Sequence, residues 1–141
     1  MCLWLSVMDG TVTDITLISI VDDDDAVRGA TESLVRSLGF ETRIFASAVA
    51  FLQSPSLLET RCLILDVQMP NMGGIELQER LAELGLDIPI IFITAFPDDA
   101  VRQRALQGGA IAFLLKPFEV HGQRFIDCLL EALKADKKPA P

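Results

Sequence analysis

The sequence predicts an α/β domain in which a five-stranded parallel sheet carries helices on both faces. Short apolar runs alternate along the chain with segments whose apolar residues recur every three or four positions. That alternation is typical of strands followed by helices. The apolar runs contain few polar residues before their ends, as expected for parallel strands that are buried on both sides. The pattern therefore favours an open, doubly wound sandwich.

The predicted strands are short and rich in β-branched or large apolar residues. They cover residues 17–21, 40–45, 62–66, 88–94 and 110–115. The predicted helices follow them at about 27–38, 47–53, 77–84, 98–107 and 125–132. Gly39 and Gly85 come directly after the first and third helices, where glycine commonly ends a helix.

The length of 141 residues fits one domain of ordinary size. We expect that domain to cover residues 17–134. Residues 1–16 form an N-terminal extension with no assigned role, and the polar, proline-containing residues 135–141 are expected to be a tail or the start of a linker.

Composition narrows the range of partners and locations. The formal net charge of −8 repels phosphate backbones, so direct nucleic-acid binding by this chain is not expected. The three cysteines are odd in number and lack CxxC spacing, which favours a reduced, cytoplasmic protein. No apolar run approaches the roughly 18 residues of a membrane span, and no membrane association is predicted.

Polar side chains stand where the predicted strands end. In open α/β sheets, ligands bind beyond the carboxyl ends of the strands, which lie along one edge. The residues expected at that edge are Asp22 and Asp23 after the first strand, Asp66 after the third, Thr94 after the fourth and Lys116 after the fifth. Asp24 and Asp25 are instead expected in the first turn of the following helix, where acids are favourable.

Such an acidic cluster needs a counterion. Carboxylates about 5 Å apart repel by roughly 3 kcal/mol per pair at an effective dielectric near 20. Hard oxygen ligands at a partly open site favour Mg²⁺. A carboxylate nucleophile, a metal, an ammonium group and a hydroxyl together indicate phosphoryl transfer. The chain has no GxxxxGK[ST] motif, and its one histidine, His121, gives little support to a Ser-His-Asp reading.

Four motifs at the strand ends resemble the receiver domain of bacterial two-component response regulators. They are Val21–Asp23, Leu65–Gly74, Ile93–Ala95 and Leu115–Phe118. The resemblance covers about residues 17–134, and the segments beginning at Phe45 and Phe92 are similar to the FixJ-like branch. It implies the flavodoxin-like (βα)5 form of the doubly wound fold.

The resemblance also implies a metal site around a phosphoacceptor. Asp66 would accept the phosphoryl group. Asp23 and Asp66 would bind Mg²⁺ directly, Asp22 would do so through water, and the backbone carbonyl of Gln68 would complete the protein ligands.

The resemblance gives three further residues a part in the response to phosphorylation. Thr94 and Lys116 would each contact a phosphoryl oxygen, and Phe113 would be the switch residue that moves inward as Thr94 moves. Pro117 would follow a cis peptide bond.

The implied protein is a signalling phosphoacceptor and not an enzyme acting on a separate substrate. Its expected partners are a sensor histidine kinase, a second copy of the chain, and a DNA-binding output domain in a longer chain. The switching face, called the α4-β5-α5 face in this family, would consist of residues 98–107, 110–115 and 119–134.

Two other functions remain open at this point. Asp23-x-Asp25 formally matches the nucleophile motif of haloacid-dehalogenase-type phosphohydrolases, with Thr94 and Lys116 as later elements. That reading leaves Asp66 without a role, and the chain is short for that fold with a cap. The third reading is a degenerate receiver that binds partners without being phosphorylated.

Overall fold

The sheet has five parallel strands in the order β2-β1-β3-β4-β5. The computed structural model describes residues 16–116 and 122–135. The strands are β1 (Leu17–Val21), β2 (Glu41–Phe45), β3 (Cys62–Asp66), β4 (Ile90–Thr94) and β5 (Ala112–Leu115). This order is that of the flavodoxin-like doubly wound fold, so the predicted fold class is confirmed.

Within the described residues, five α-helices and one 3₁₀ helix connect and follow the strands. They are α1 (Asp25–Ser37), α2 (Ala48–Leu52), the 3₁₀ helix (Pro55–Glu59), α3 (Gly74–Glu83), α4 (Asp99–Gln107) and α5 (Gln123–Ala135). Asp24 caps α1 by accepting hydrogen bonds from the amides of Ala26 and Val27. Its short side chain satisfies amides that have no partner within the helix. The placement of Asp24 and Asp25 at the helix start is therefore confirmed.

Three strands begin later than predicted, at Glu41, Ile90 and Ala112. Pro89 precedes β4 and has no amide hydrogen to donate to a neighbouring strand. The Ala110 amide instead donates to the Ala105 carbonyl at the end of α4, so it cannot join the ladder. The 3₁₀ helix was not predicted. It begins where Ser54 accepts a hydrogen bond from the Ser56 amide.

The hydrophobic core has two layers, one on each side of the sheet. Alternate residues along a strand point to opposite sides, and in β3 Ile64 faces one layer while Leu63 and Leu65 face the other. The first layer includes Val35 of α1 and Phe125 of α5. The second is packed by side chains of α2, α3 and α4. Each large side chain buried there contributes about 1.5–3 kcal/mol.

The strand register places the site. Val21 pairs with Leu65 in the parallel ladder between β1 and β3, so Asp22 and Asp66 leave the sheet side by side. After β1 the chain forms β2 on one side of β1 and then β3 on its other side. Because the strand order reverses between β1 and β3, a crevice opens beyond the carboxyl ends of these two strands. The local topology thus gathers residues that are 44 positions apart in the printed sequence.

Candidate functional site

Three carboxylates meet at the carboxyl edge of β1 and β3. Oxygen atoms of Asp22, Asp23 and Asp66 all lie within 4.8 Å of one another. Asp22 and Asp66 are buried, whereas Asp23 is exposed. The cluster is therefore open to solvent on the Asp23 side and closed on the side of the sheet.

Lys116 supplies the positive charge at this cluster. Its Nζ atom lies 3.0 Å from Asp22 Oδ2 and 3.3 Å from Asp66 Oδ2. The side chain is only 9% exposed, so the two ion pairs are poorly screened by water. The Lys116 amide donates to the Thr94 carbonyl and extends the pairing of β4 and β5 to this point. The ladder thereby directs the lysine to the site.

Backbone amides fix the two buried carboxylates. The Asp24 amide donates to Asp22 Oδ1 at 2.9 Å, and the Gln68 amide lies 3.3 Å from Asp66 Oδ1. Both contacts span two residues, as in turns closed by an aspartate side chain. Gln68 is exposed beside Asp66, the position from which its carbonyl is predicted to bind the metal.

The carboxyl of Asp66 is held close to its protonated state. Burial, and after it the charge of Asp22, raise its pKa to about 7, although the charge of Lys116 acts to lower it. Burial lowers the pKa of Lys116, but its hydrogen bond and charge interaction with Asp22, together with Asp66, leave that pKa above its ordinary value. The lysine therefore stays charged, and its one ammonium group faces the carboxyl groups of three acids.

The donor set fits a divalent cation. Three hard oxygen donors converge beside a single ammonium group, so a bound cation would bring positive charge that this site lacks. Mg²⁺ prefers such oxygen ligands and keeps several waters, which the exposed Asp23 side can accommodate.

Thr94 lies at the same edge, but the following turn engages its hydroxyl group. The Phe96 amide donates to Thr94 Oγ1 at 3.0 Å, and the hydroxyl lies 3.3 Å from the Phe96 carbonyl. Thr94 is buried, whereas Phe96 is 67% exposed. The structure thus brings Thr94 to the predicted edge, with its hydroxyl group in contact with the backbone of Phe96.

Phe113 is half-buried on β5, where it pairs with Phe92 of β4. The two ring centroids are 6.3 Å apart and the rings are tilted by 41°. Pro117 and His121, both named from the sequence, lie outside the described residues.

Two residues at the site were given no role from the sequence. Gly74 begins α3, and a Cβ atom there would lie 2.5 Å from the Asp66 carbonyl oxygen. Arg28 of α1 donates from its guanidinium group to the Asp22 carbonyl at 2.8 Å. Gly74 belongs to the sequence motif that follows Asp66, and that motif was the available signal for its role. For Arg28, the available signal was its spacing of three residues from Asp25, which favours an ion pair on a helix.

Fold and geometry together define a doubly wound α/β domain with an acidic, lysine-containing site at one edge of its sheet. The family model for the response regulator receiver domain matches residues 18–124, and the chain belongs to that family. Membership makes it a signalling domain of the two-component type and does not favour the hydrolase or the degenerate-receiver reading. Response regulators work with histidine kinases, and many carry DNA-binding output domains.

Individual relatives agree with this membership. The chain is 47% identical over 126 residues to response regulator protein TmoT of Ectopseudomonas mendocina, covering 89% of this chain and 54% of the relative. It is 37% identical over 108 residues to transcriptional regulatory protein FixJ of Rhizobium meliloti, covering 77% of this chain and 52% of FixJ. The chain thus spans about half the length of these relatives.

Solved structures show the same architecture. The response regulator StyR superposes with a TM-score of 0.79 at 43% identity, over 87% of this chain and 61% of StyR. FixJ-N superposes with a TM-score of 0.77 at 30% identity, over 92% of this chain and all of FixJ-N. Across residues 16–116 and 122–135, no helix combines the length and apolarity that a bilayer crossing requires.

Proposed function

We propose that Asp66 accepts a phosphoryl group from the phosphohistidine of a partner kinase. The observation that carries this proposal is the position of Asp66 between Lys116 and two further carboxylates. In the transfer, an Asp66 carboxylate oxygen forms a bond to phosphorus while the bond to the kinase histidine nitrogen breaks. Because the pKa of Asp66 is raised to about 7, a bound cation would favour its ionised, nucleophilic form at neutral pH.

We propose Mg²⁺ as that cation. Asp23, Asp66 and the Gln68 carbonyl would bind it directly, and Asp22 would do so through water. The geometry supports this division, because Asp22 is already engaged by Lys116 and the Asp24 amide, whereas Asp23 faces solvent. The bound ion supplies charge neutralisation for the phosphoryl oxygens.

Phosphorylation would redistribute two existing contacts. A phosphoryl group adds a charge near −2 and competes with Asp22 for Lys116. It also offers an acceptor to the Thr94 hydroxyl, which would then leave the Phe96 backbone. Movement of Thr94 makes room at the end of β4, into which Phe113 would turn. The α4-β5-α5 face would thereby shift between two arrangements.

The wider context of the domain is also a proposal. Residues 17–134 would form the receiver domain, flanked by an extension at 1–16 and a tail or linker at 135–141. The protein would be a cytoplasmic phosphoacceptor rather than an enzyme. It would signal through a DNA-binding output domain in a longer chain or through a dimer formed by the α4-β5-α5 face.

Incubation with acetyl phosphate and Mg²⁺, followed by intact-mass measurement, tests the proposal. The wild type should gain one phosphoryl group, Asp66→Asn should gain none, and the exposed-site control Asp99→Asn should behave like the wild type. Peptide mapping should place the label on Asp66. A label on Asp23 would instead support the phosphohydrolase, and no labelling of the wild type would support the degenerate receiver.

A further inference from the structure

Arg28 connects two points of the acidic turn that leads from β1 into α1. One guanidinium nitrogen donates to the Asp22 backbone carbonyl at 2.8 Å, and the other pairs with the Asp25 carboxylate. The Arg28 side chain is only 15% exposed, whereas that of Asp25 is 89% exposed. The guanidinium group is therefore held in a partly buried position, where it contacts the backbone of one of the three acids at the candidate metal site.

Charge alone does not account for this position. A cation in the first turn of a helix interacts unfavourably with the helix dipole, and it also repels a divalent ion bound nearby. The planar guanidinium fork, however, can bind two separate acceptors at once, which a lysine ammonium does not do with the same fixed geometry. These contacts point to a geometric role.

We propose that Arg28 is a positioning residue that fixes the Asp22–Asp25 turn, so that the carboxylates of Asp22 and Asp23 are held in place for the cation. This inference rests on the proposed function. Arg28 fixes the backbone of Asp22 from one side, while the Asp24 amide fixes the Asp22 carboxylate at 2.9 Å. Asp23 lies between Asp22 and Asp24 in the chain, so its backbone is fixed on that side while its side chain is exposed.

Calorimetric titration of Mg²⁺ into the folded protein tests the role of Arg28. Arg28→Lys keeps the charge but loses the fork, and we expect its dissociation constant to rise roughly tenfold, the size typical of residues that orient metal ligands. Arg28→Met should also bind more weakly, although it removes a repelling charge. The matched control Arg36→Lys, at the exposed end of the same helix, should bind like the wild type.

The possible results distinguish a geometric role of Arg28 from an effect of its charge alone. Wild-type affinity in Arg28→Lys, or tighter binding by Arg28→Met, would overturn the inference, since Arg28 would then act only as a charge. A purely stabilising role would change urea unfolding and leave the affinity of the folded protein unchanged, which would also overturn it. A wild type that binds no Mg²⁺ would overturn the proposed function itself.

Asp25→Ala provides a second test should Arg28→Lys fail to fold. Asp25 is almost fully exposed, so its removal disturbs no core packing, yet Arg28 loses one of its two anchors. At about 0.5 M salt the lost charge is largely screened. Binding that remains weaker than wild type under these conditions supports the inference, and wild-type affinity there contradicts it.

Discussion

The side chain of Gln78 on α3 fills the space that any side chain at Gly108 would need. A Cβ atom at Gly108 would lie 2.8 Å from the amide atoms of Gln78. The Gln78 amide nitrogen donates to the Ala105 carbonyl at 2.9 Å. That carbonyl lies in the last turn of α4, where carbonyl groups have no donor within the helix, and it also accepts a hydrogen bond from the Ala110 amide. Gln78 therefore anchors the C-terminal end of α4, whose one buried residue is Ala105.

The first prediction concerns the close packing of the Gln78 side chain against Gly108. Gly108→Ala should destabilise the protein by about 1–3 kcal/mol, because the new methyl group displaces the buried Gln78 side chain. Gln78→Ala should cost about 1–2 kcal/mol through the lost hydrogen bond and the small cavity. The double variant should be more stable than the sum of the two losses implies, because the small side chain at 78 leaves room for the methyl group. Urea unfolding measures the free energy of unfolding of all three variants. Strictly additive losses would contradict a direct contact between Gln78 and position 108.

The fold could be predicted because it depends on the spacing of apolar residues, which can be read directly from the sequence. Uniformly apolar strands such as Cys62–Leu65 and the three-to-four spacing of the helices both reflect burial, which acts at every position of an element. The boundaries were less predictable. Ala110 is apolar like the strand that follows it, and only the three-dimensional position of its amide, bonded to Ala105, shows that it belongs to the end of α4.

Some residues of the site could likewise be predicted from the sequence, and others could not. Asp22, Asp66, Thr94 and Lys116 could be named because each stands at the carboxyl end of a strand, and parallel strands end on one edge. The contact between Arg28 and the Asp22 carbonyl could not be named, since a backbone acceptor leaves no mark in a sequence. The bonds from Thr94 to the Phe96 backbone were hidden for the same reason.

The second prediction uses the raised pKa of Asp66. Its folded pKa is about 7 and its unfolded value is 3.8, so the folded state holds the proton more tightly. The stability linked to this group is fully present below about pH 4 and is lost as pH rises to about 7. Asp66→Asn does not titrate and escapes this loss. In EDTA, its stability advantage over the wild type should grow between pH 5 and pH 8, by on the order of 2 kcal/mol.

Urea unfolding at both pH values measures that difference, and saturating Mg²⁺ provides the control. The cation favours the ionised carboxylate of the wild type, so the advantage of Asp66→Asn at pH 8 should shrink when Mg²⁺ is present. An advantage that is equal at pH 5 and pH 8 would show that Asp66 titrates normally in the folded protein.

The third prediction concerns Lys116. Lys116→Met leaves Asp22 and Asp66 buried without their shared ammonium group. Removing one partner of a buried ion pair costs about 3–5 kcal/mol, but protonation of Asp66 relieves part of this, so a loss of about 2 kcal/mol at pH 7 is expected. Lys134→Met, at an exposed position of α5, should change stability by less than about 0.5 kcal/mol. Equal effects of the two substitutions would argue against a structural role for the Lys116 ion pairs.

The fourth prediction contrasts two glycines at helical positions. Gly74 starts α3 against the strand that carries Asp66, and a Cβ atom there would lie 2.5 Å from the Asp66 carbonyl and 3.0 Å from the Phe92 ring. Backbone cannot give way as a flexible side chain can, so Gly74→Ala should cost about 3 kcal/mol or more and displace Asp66. Gly29 lies inside α1 with nothing within 4 Å of its Cβ position. Gly29→Ala should therefore stabilise the protein by about 0.5–1 kcal/mol.

Thermal unfolding and Mg²⁺ titration of the two variants check this contrast. Gly74→Ala should lower the melting temperature and weaken Mg²⁺ binding together, because the clash acts on the backbone of the proposed phosphoacceptor itself. Gly29→Ala should raise the melting temperature and leave Mg²⁺ affinity unchanged, since α1 already has the helical backbone that alanine prefers. If Gly74→Ala melted like the wild type, α3 would have to pack farther from β3 than the structure places it.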